Sequence, residues 1–185
     1  GQTVELGKAA EKVDCQIIAL QETCQGLEDT APSIEGYQWV ALEPLAEQGG
    51  MYGEGLAFLI SDLVIEYVSV IPSNIPKTQW LELNLDGGKY LLGNLYLPPC
   101  SGKDNLDEYQ KRLRAISNFR KKQKYDNVIL VGDFNAWLGK GVGLNDVIGM
   151  SNTPETNSHG DALRAWLEEE GLIALNGRDE ASKGY

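Results

Sequence analysis

Cysteine, histidine and long apolar segments are scarce in this sequence. Its 185 residues include three cysteines and one histidine. The cysteines, Cys15, Cys24 and Cys100, are an odd number without CxxC spacing, which argues against a disulfide framework and a zinc site and favours a reducing compartment. The longest apolar runs, such as 17–20 and 128–131, fall far short of the roughly 20 residues that cross a bilayer. The sequence therefore predicts no membrane-spanning segment, and its first residues lack a signal-peptide pattern.

Net positive charge is also lacking. The formal net charge is −11, which disfavours unassisted tight binding to a polyanion, because nonspecific nucleic-acid affinity comes mainly from Lys and Arg that neutralise phosphates. One short stretch is nevertheless basic. Its members are Lys111, Arg112, Arg114, Arg120, Lys121, Lys122 and Lys124. This basic stretch is either a local contact for a polyanion or, as is more usual, the solvated face of a helix.

Length and pattern predict one α/β (α+β) domain over residues 1–185. A chain of this length buries roughly 70% of its unfolded surface, which provides one sizeable core. Short segments rich in β-branched and aromatic residues predict strands at 16–20, 38–42, 56–60, 65–70, 80–85, 90–97 and 127–131. Apolar residues at helical spacing predict helices at 4–13, 106–122 and 161–170. This order favours a four-layer sandwich of two mixed β-sheets packed face to face, with helices outside.

Two of the predicted strands end in the same way. The apolar runs 17–20 and 128–131 are each followed, two positions later, by a carboxylate, Glu22 and Asp133. If the carboxyl ends of these strands adjoin, both acids face one cavity. Magnesium is typically held by one or two carboxylates, several waters and a substrate phosphate, so two acids would suffice for a magnesium site. Taken alone, either acid is equally an ordinary residue where a strand meets solvent.

Polar and aromatic residues nearby extend the candidate site. Asn135 lies two residues after Asp133, and in an extended segment both side chains would lie on one side. Tyr96, at a predicted strand end, is either a packing residue or a phosphate contact. Trp137 either stacks on a base or, as is more usual for tryptophan, covers the core. Cys24 is expected to be a small buried side chain, since magnesium avoids thiolates.

Four segments resemble motifs of the endonuclease/exonuclease/phosphatase superfamily, in the family's order and over nearly the whole chain. They are 17–23 (IIALQET), similar to its LQET strand; 55–60 (GLAFLI), similar to the strand after its Gly-rich turn; 93–99 (GNLYLPP), similar to the strand ending in Y-x-P; and 131–136 (VGDFNA), similar to its GDFN motif. The resemblance implies that Glu22 binds Mg²⁺, with Mn²⁺ as a substitute, and that Asp133 helps to activate the attacking water. It also implies that Asn135 and Tyr96 contact the phosphate.

Within the superfamily, the segment 132–176 resembles the endonuclease domains of LINE-type retrotransposons. That resemblance implies a DNA substrate that is nicked to prime reverse transcription, an intracellular location in the nucleus or cytoplasm, and a reverse transcriptase in the full-length protein. Two alternatives stay open. One is a phosphatase or lipid phosphodiesterase of the same superfamily, which an acidic surface suits better. The other is a non-catalytic domesticated module that binds nucleic acid or protein.

The family pattern is incomplete in these 185 residues. The family's first strand, with an asparagine near the metal, has no counterpart, and neither do its I-D-Y strand and its S-D-H motif. His159, the sole histidine, does not match that motif and is expected to be a loop or helix-start residue rather than a base. The resemblance therefore implies a domain truncated at both ends, which by itself cleaves poorly or not at all.

Overall fold

The structure of the chain is a computed structural model that describes residues 2–23, 31–41, 55–100, 105–125, 127–143, 145–150 and 155–178. Its elements in chain order are α1 (Gln2–Val13), β1 (Ile17–Gln21), β2 (Tyr37–Ala41), β3 (Leu56–Ser61), a 3₁₀ turn (Ile65–Tyr67), β4 (Val68–Ile71), β5 (Thr78–Leu85), β6 (Gly88–Tyr96), α2 (Asn105–Gln123), β7 (Asn127–Asp133) and α3 (Ser158–Glu170). All seven predicted strands and all three predicted helices are present, with ends shifted by a few residues. Cys24 lies outside the described residues.

One predicted strand is partly wrong. Residues 65–67 form a 3₁₀ turn instead of the first half of a strand, because the chain is still completing the turn that starts at Ser61. The N–H of Val64 donates to the carbonyl of Ser61, and the N–H of Tyr67 donates to the carbonyl of Val64, both at 3.0 Å. The strand β4 therefore begins only at Val68.

The strands form two sheets, which confirms the α/β fold class. The three-stranded sheet has the order β1-β3-β2 and is antiparallel, and the four-stranded sheet has the order β4-β5-β6-β7. The second sheet is mixed, because β6 and β7 run parallel while its other pairs are antiparallel. The predicted Asp86-Gly87-Gly88 hairpin joins β5 to β6, with Leu85 opposite Gly88.

An apolar core lies between the two sheets, and strand β3 is buried on both of its faces. Phe58 and Ile60 point between the sheets, where they pack with Leu81, Leu92 and further apolar side chains of β5 and β6. Leu59 points the other way and packs with helix α1 and its surroundings. A strand covered on both faces is expected to be a continuous apolar run, and residues 56–60 are such a run.

At one end of the sandwich, amide side chains replace the apolar contacts between the sheets. Asn94 of β6 is fully buried, and its Nδ2 donates to the carbonyls of Leu20 in β1, at 3.0 Å, and Ala57 in β3, at 3.1 Å. Its Oδ1 accepts from Nε2 of Gln21 at 2.7 Å. Gln79, the register partner of Asn94 on β5, donates from Nε2 to a carbonyl of β2 at 2.8 Å. Both amides link the four-stranded sheet to the three-stranded sheet.

The chain forms two compact units. All seven strands and α1 belong to the first unit, and the second unit comprises residues 97–122 together with the segment from 134 onward. In the second unit, the indole N–H of Trp166 in α3 donates to Oγ of Ser117 in α2 at 2.7 Å. Glu170 of α3 pairs with Arg120 and Lys121 of α2, at 3.2 and 2.9 Å. None of the helices that the structure describes has the length and apolarity of a membrane span.

Replacing Asn94 by Ala tests the amide connection between the sheets. The change leaves two buried carbonyls without this donor, so we expect the free energy of unfolding to fall by about 2–4 kcal/mol, measured by urea denaturation. Asn84 lies exposed on β5 of the same sheet and serves as the control, and its replacement by Ala is expected to change stability by less than about 0.5 kcal/mol. Equal effects of the two substitutions would contradict the proposed importance of the amide connection.

Candidate active site

The candidate site lies where β1, β6 and β7 end in the first unit. Glu22 directly follows β1, Tyr96 is the last residue of β6, and Asp133 is the last residue of β7. Tyr96 and Asp133 are register partners in the parallel pair. Paired residues of neighbouring strands project to the same side of a sheet, so both side chains share a face. That face is the one turned to the three-stranded sheet, since Asn94 projects from it.

Tyr96 makes direct contact with Glu22. Its hydroxyl donates to Oε1 of Glu22 at 2.8 Å, across 74 residues of sequence. The hydroxyl of Tyr96 is thus bound to a carboxylate, and its contact with a phosphate stays a prediction. The structure thus brings Glu22 and Tyr96 together and sets Asp133 beside Tyr96. Among the described residues, no three His, Cys, Asp or Glu side chains converge as a ready metal cluster.

Lys77 adds a positive charge beside Tyr96. Its Nζ lies 5.3 Å from the centroid of the Tyr96 ring, within the range of a cation–π contact. The N–H of Tyr96 also donates to the carbonyl of Lys77 at 3.0 Å, which ties the end of β6 to the turn before β5. Lys77 could not be predicted as part of the site, because nothing in its local sequence links it to a strand end 19 positions later.

Glycine at 132 is required by the approach of β7 to β6. Gly132 has φ 130°, and a Cβ built on it would lie 2.0 Å from the carbonyl oxygen of Leu95. No side chain fits there, and the backbone conformation itself favours glycine. The expectation that this glycine permits close backbone approach is confirmed. It lets β7 stay paired with β6 up to its last residue, Asp133.

Asn135 lies in the second unit, and its side chain contacts the residue that follows β6. Its Nδ2 donates to the carbonyl of Leu97 at 2.8 Å. Asn135 and Asp133 do not lie in one extended segment, contrary to the prediction, because β7 ends at Asp133 and Asn135 has φ 47° in the left-handed region. Asparagine tolerates that conformation better than most residues. The hydroxyl of Tyr109 fixes the same segment by donating to the carbonyl of Phe134 at 3.0 Å.

The positions of His159 and Trp137 in the second unit can be compared with what the sequence predicts. His159 is the second residue of α3, is buried, and stacks on the ring of Tyr109 with centroids 4.0 Å apart. It is thus a helix-start residue, as expected. Trp137 is 58% exposed, so the expectation that it covers the core is wrong.

The basic stretch is only partly available to a polyanion. Arg112 pairs with Glu108 at 3.0 Å, and Arg120 and Lys121 share Glu170. Burial lowers the pKa of Arg120, while Glu170 opposes that shift. Three of the seven side chains are thus paired within the second unit. Lys111, Arg114 and Lys122 are exposed on helix α2, in keeping with a solvated helix face.

A protein-family model that covers nearly the whole chain shows the family to which it belongs. The model of the Endonuclease/Exonuclease/phosphatase family matches residues 2–176, so the chain belongs to that family. The family comprises hydrolytic nucleases and phosphodiesterases, which is the class of chemistry that carboxylates at neighbouring strand ends can perform. No curated protein sequence matches the chain.

Several solved structures share the fold. The endonuclease domain of TRAS1, a telomere-specific non-LTR retrotransposon, matches with TM-score 0.61 and 22% identity over 94% of this chain and 68% of that domain. An AP endonuclease from Archaeoglobus fulgidus matches with TM-score 0.56 and 16% identity over 90% and 65%. The catalytic domain of human Nocturnin matches with TM-score 0.51 and 18% identity over 72% and 56%. The chain therefore spans between about half and two thirds of these proteins, and likeness at such identities shows the fold alone.

Substitutions at Glu22 test whether its backbone conformation is strained. Glu22 has φ 53°, a conformation that costs an L-residue roughly 1–2 kcal/mol and glycine very little. Glu22→Gly and Glu22→Ala both remove the carboxylate and its bond to Tyr96, and differ only in this backbone cost. We expect the Gly variant to be more stable than the Ala variant by about 0.5–1 kcal/mol in urea denaturation.

The same pair of substitutions at Glu66 is the control. Glu66 is exposed in the 3₁₀ turn and its φ is not positive. There the Ala variant is expected to be the more stable one, because glycine only adds backbone freedom to the unfolded chain. An Ala variant at position 22 that equals or exceeds the Gly variant in stability would show that Glu22 carries no backbone strain.

Proposed function

We propose that this chain is the greater part of a magnesium-dependent phosphodiesterase that nicks DNA. The observation that carries the proposal is the hydrogen bond from Tyr96 to Glu22, beside the paired residue Asp133. Two carboxylates and a phenol then stand at neighbouring strand ends, in a chain of the Endonuclease/Exonuclease/phosphatase family. All are oxygen groups, which suits a hard divalent cation such as Mg²⁺ or Mn²⁺.

Glu22 would hold the cation. Its carboxylate is exposed at the end of β1, and one oxygen is oriented by the hydroxyl of Tyr96. The chemistry that a magnesium ion would supply there is positive charge for the phosphate and for the leaving oxygen. Because the cation would bring the positive charge, the site does not need a strongly basic pocket.

The other residues would act on the water and the phosphate. Asp133 is exposed at the end of β7 and would orient or deprotonate the attacking water. The Asn135 amide would hold the phosphate as a hydrogen-bond donor. The Tyr96 hydroxyl has a single proton, so it would donate to the phosphate in place of Glu22 when substrate is bound. Lys77, with its ammonium over the Tyr96 ring, would raise the local concentration of phosphate.

A role in retrotransposition is the finer part of the proposal. The fold shared with the TRAS1 endonuclease domain supports it. In that role the domain would nick one strand of chromosomal DNA and leave a 3′-hydroxyl that primes reverse transcription. The full-length protein would then carry a reverse transcriptase and would work inside the cell, in the nucleus or cytoplasm.

Nicking of a supercoiled plasmid in Mg²⁺ tests the assigned residues. The protein should carry residues 1–185 together with the flanking residues of its reading frame. We expect Glu22→Ala, Asp133→Asn and Tyr96→Phe each to slow nicking by about 10²-fold or more, because each removes a group that acts on the reacting atoms. Glu66→Gln removes an exposed acid in the 3₁₀ turn and should leave the rate unchanged. Unchanged magnesium-dependent nicking by the Glu22 or Asp133 variant would contradict the assignment.

The net charge of −11 favours a second candidate, a phosphatase or lipid phosphodiesterase of the same family. A small anionic substrate meets less repulsion from an acidic surface than a DNA duplex does. Rates on a small phosphodiester, an inositol phosphate, abasic DNA and intact DNA, compared at equal enzyme concentration, separate the two candidates. A preference for DNA supports the nuclease, and a preference for the small substrates supports the second candidate.

A further inference from the structure

Trp137 is an exposed indole that the proposed chemistry does not use. It is 58% exposed, whereas Trp80 and Trp166 are almost fully buried. Single exposed apolar residues are common on protein surfaces, so exposure alone carries no function. The way in which the backbone of Trp137 is held gives the second observation.

Both backbone polar groups of Trp137 are bound to the start of helix α3. The N–H of Trp137 donates to Oδ1 of Asn157 at 3.2 Å, and the N–H of Asn157 donates to the carbonyl of Trp137 at 3.3 Å. Asn157 is itself fixed as the N-cap of α3, since its Oδ1 also accepts from the N–H of Gly160 at 2.7 Å. The next residue, Leu138, forms a β-bridge with Thr156.

Gly160 shows how closely this backbone is packed. A Cβ at position 160 would lie 1.7 Å from the carbonyl oxygen of Trp137, so only glycine permits the helix to approach. The backbone under the indole is thus fixed by two hydrogen bonds and a close contact, while the ring itself is exposed. A flat aromatic side chain on a fixed backbone binds a flat partner at a small entropic cost.

Chain connectivity keeps Trp137 near the proposed site. It lies four residues after Asp133, and four residues span no more than about 14 Å even when fully extended. That limit equals about four base steps of B-DNA, at roughly 3.4 Å each along one strand. A nucleic acid with a phosphate at Asp133 therefore has bases within reach of the indole.

We propose that Trp137 is a stacking surface for an unpaired nucleobase close to the scissile phosphate. This inference rests on the proposed nuclease function, which it extends to the substrate's bases. Stacking suits this chain because its net charge of −11 gives little electrostatic affinity for a polyanion, whereas every base offers a flat ring to an aromatic side chain. The indole is thus a contact that adds affinity without adding positive charge.

Binding of a short single-stranded DNA in EDTA, where cleavage is blocked, tests the inference. We expect Trp137→Ala to weaken Kd by about 5- to 150-fold, the range that base stacking on an aromatic residue provides, and Trp137→Phe to weaken it less. The loss should be the same factor at low and high salt, because stacking releases no counterions. Oligonucleotide should also quench the intrinsic fluorescence of the wild type, and Trp137→Phe should abolish most of that quenching.

Two controls make the result specific. Tyr67 is another exposed aromatic residue, 46% exposed in the 3₁₀ turn, and Tyr67→Ala should leave Kd unchanged. An oligonucleotide of abasic sites keeps the phosphates and lacks the bases, so it should bind wild type and Trp137→Ala equally. A wild type that binds no oligonucleotide, or a Trp137→Ala variant with wild-type Kd, would overturn the inference.

The binding and nicking experiments can contradict the stacking surface and the nuclease function separately. Trp137-dependent quenching without any nicking would leave the stacking surface in place and remove the nuclease function. Magnesium-dependent nicking with a Trp137→Ala variant that binds and cleaves like the wild type would leave the nuclease and remove the stacking surface.

Discussion

The buried amide of Asn94 is the contact on which the geometry of the candidate site depends. Apolar packing between the sheets is non-directional, so by itself it does not determine how one sheet lies over the other to within a hydrogen-bond length. Asn94 adds three directional bonds, to the carbonyls of Leu20 and Ala57 and from the side chain of Gln21. Glu22 is the next residue after Gln21, and Tyr96 lies two residues after Asn94. The alignment of the sheets therefore sets the Tyr96–Glu22 bond.

The backbone departs from regular strand geometry next to the side chains of the candidate site. Glu22 has φ 53° directly after β1, and Gly132 has φ 130° directly before Asp133. Left-handed backbone costs free energy for a residue with a Cβ, and it persists only where surrounding contacts impose it. At Glu22 those contacts are the neighbouring Gln21–Asn94 bond and the hydroxyl of Tyr96. The strain at Glu22 and the amide connection thus belong to one arrangement.

The fold could be predicted well from the sequence because its signals are local. Apolar runs, hairpin glycines and helical spacing specify the strands and helices, and the acids after residues 17–20 and 128–131 mark the strand ends. The contacts within the site could not be predicted, since Tyr96 and Glu22 are 74 residues apart. The role of Asn94 had one weak signal, a polar residue inside an otherwise apolar strand, which must find hydrogen-bond partners when buried. No signal in the sequence predicted the left-handed conformation of Asn135, because strand periodicity stops at the end of a strand.

Electrostatics sets the remaining constraint on how such a chain could act on a polyanion. The basic stretch of helix α2 provides less available charge than its composition implies, because Arg112, Arg120 and Lys121 are paired with glutamates of the same unit. Arg112 and Glu108 together carry no net charge, whereas Arg120 and Lys121 share the single carboxylate of Glu170 and keep one positive charge between them. Attraction to a phosphate backbone would then come from a divalent cation at the proposed site, from the ammonium group of Lys77 beside Tyr96, and from contacts that need no charge. A chain with a formal net charge of −11 otherwise repels phosphate, so the proposed site would provide most of its affinity for such a substrate.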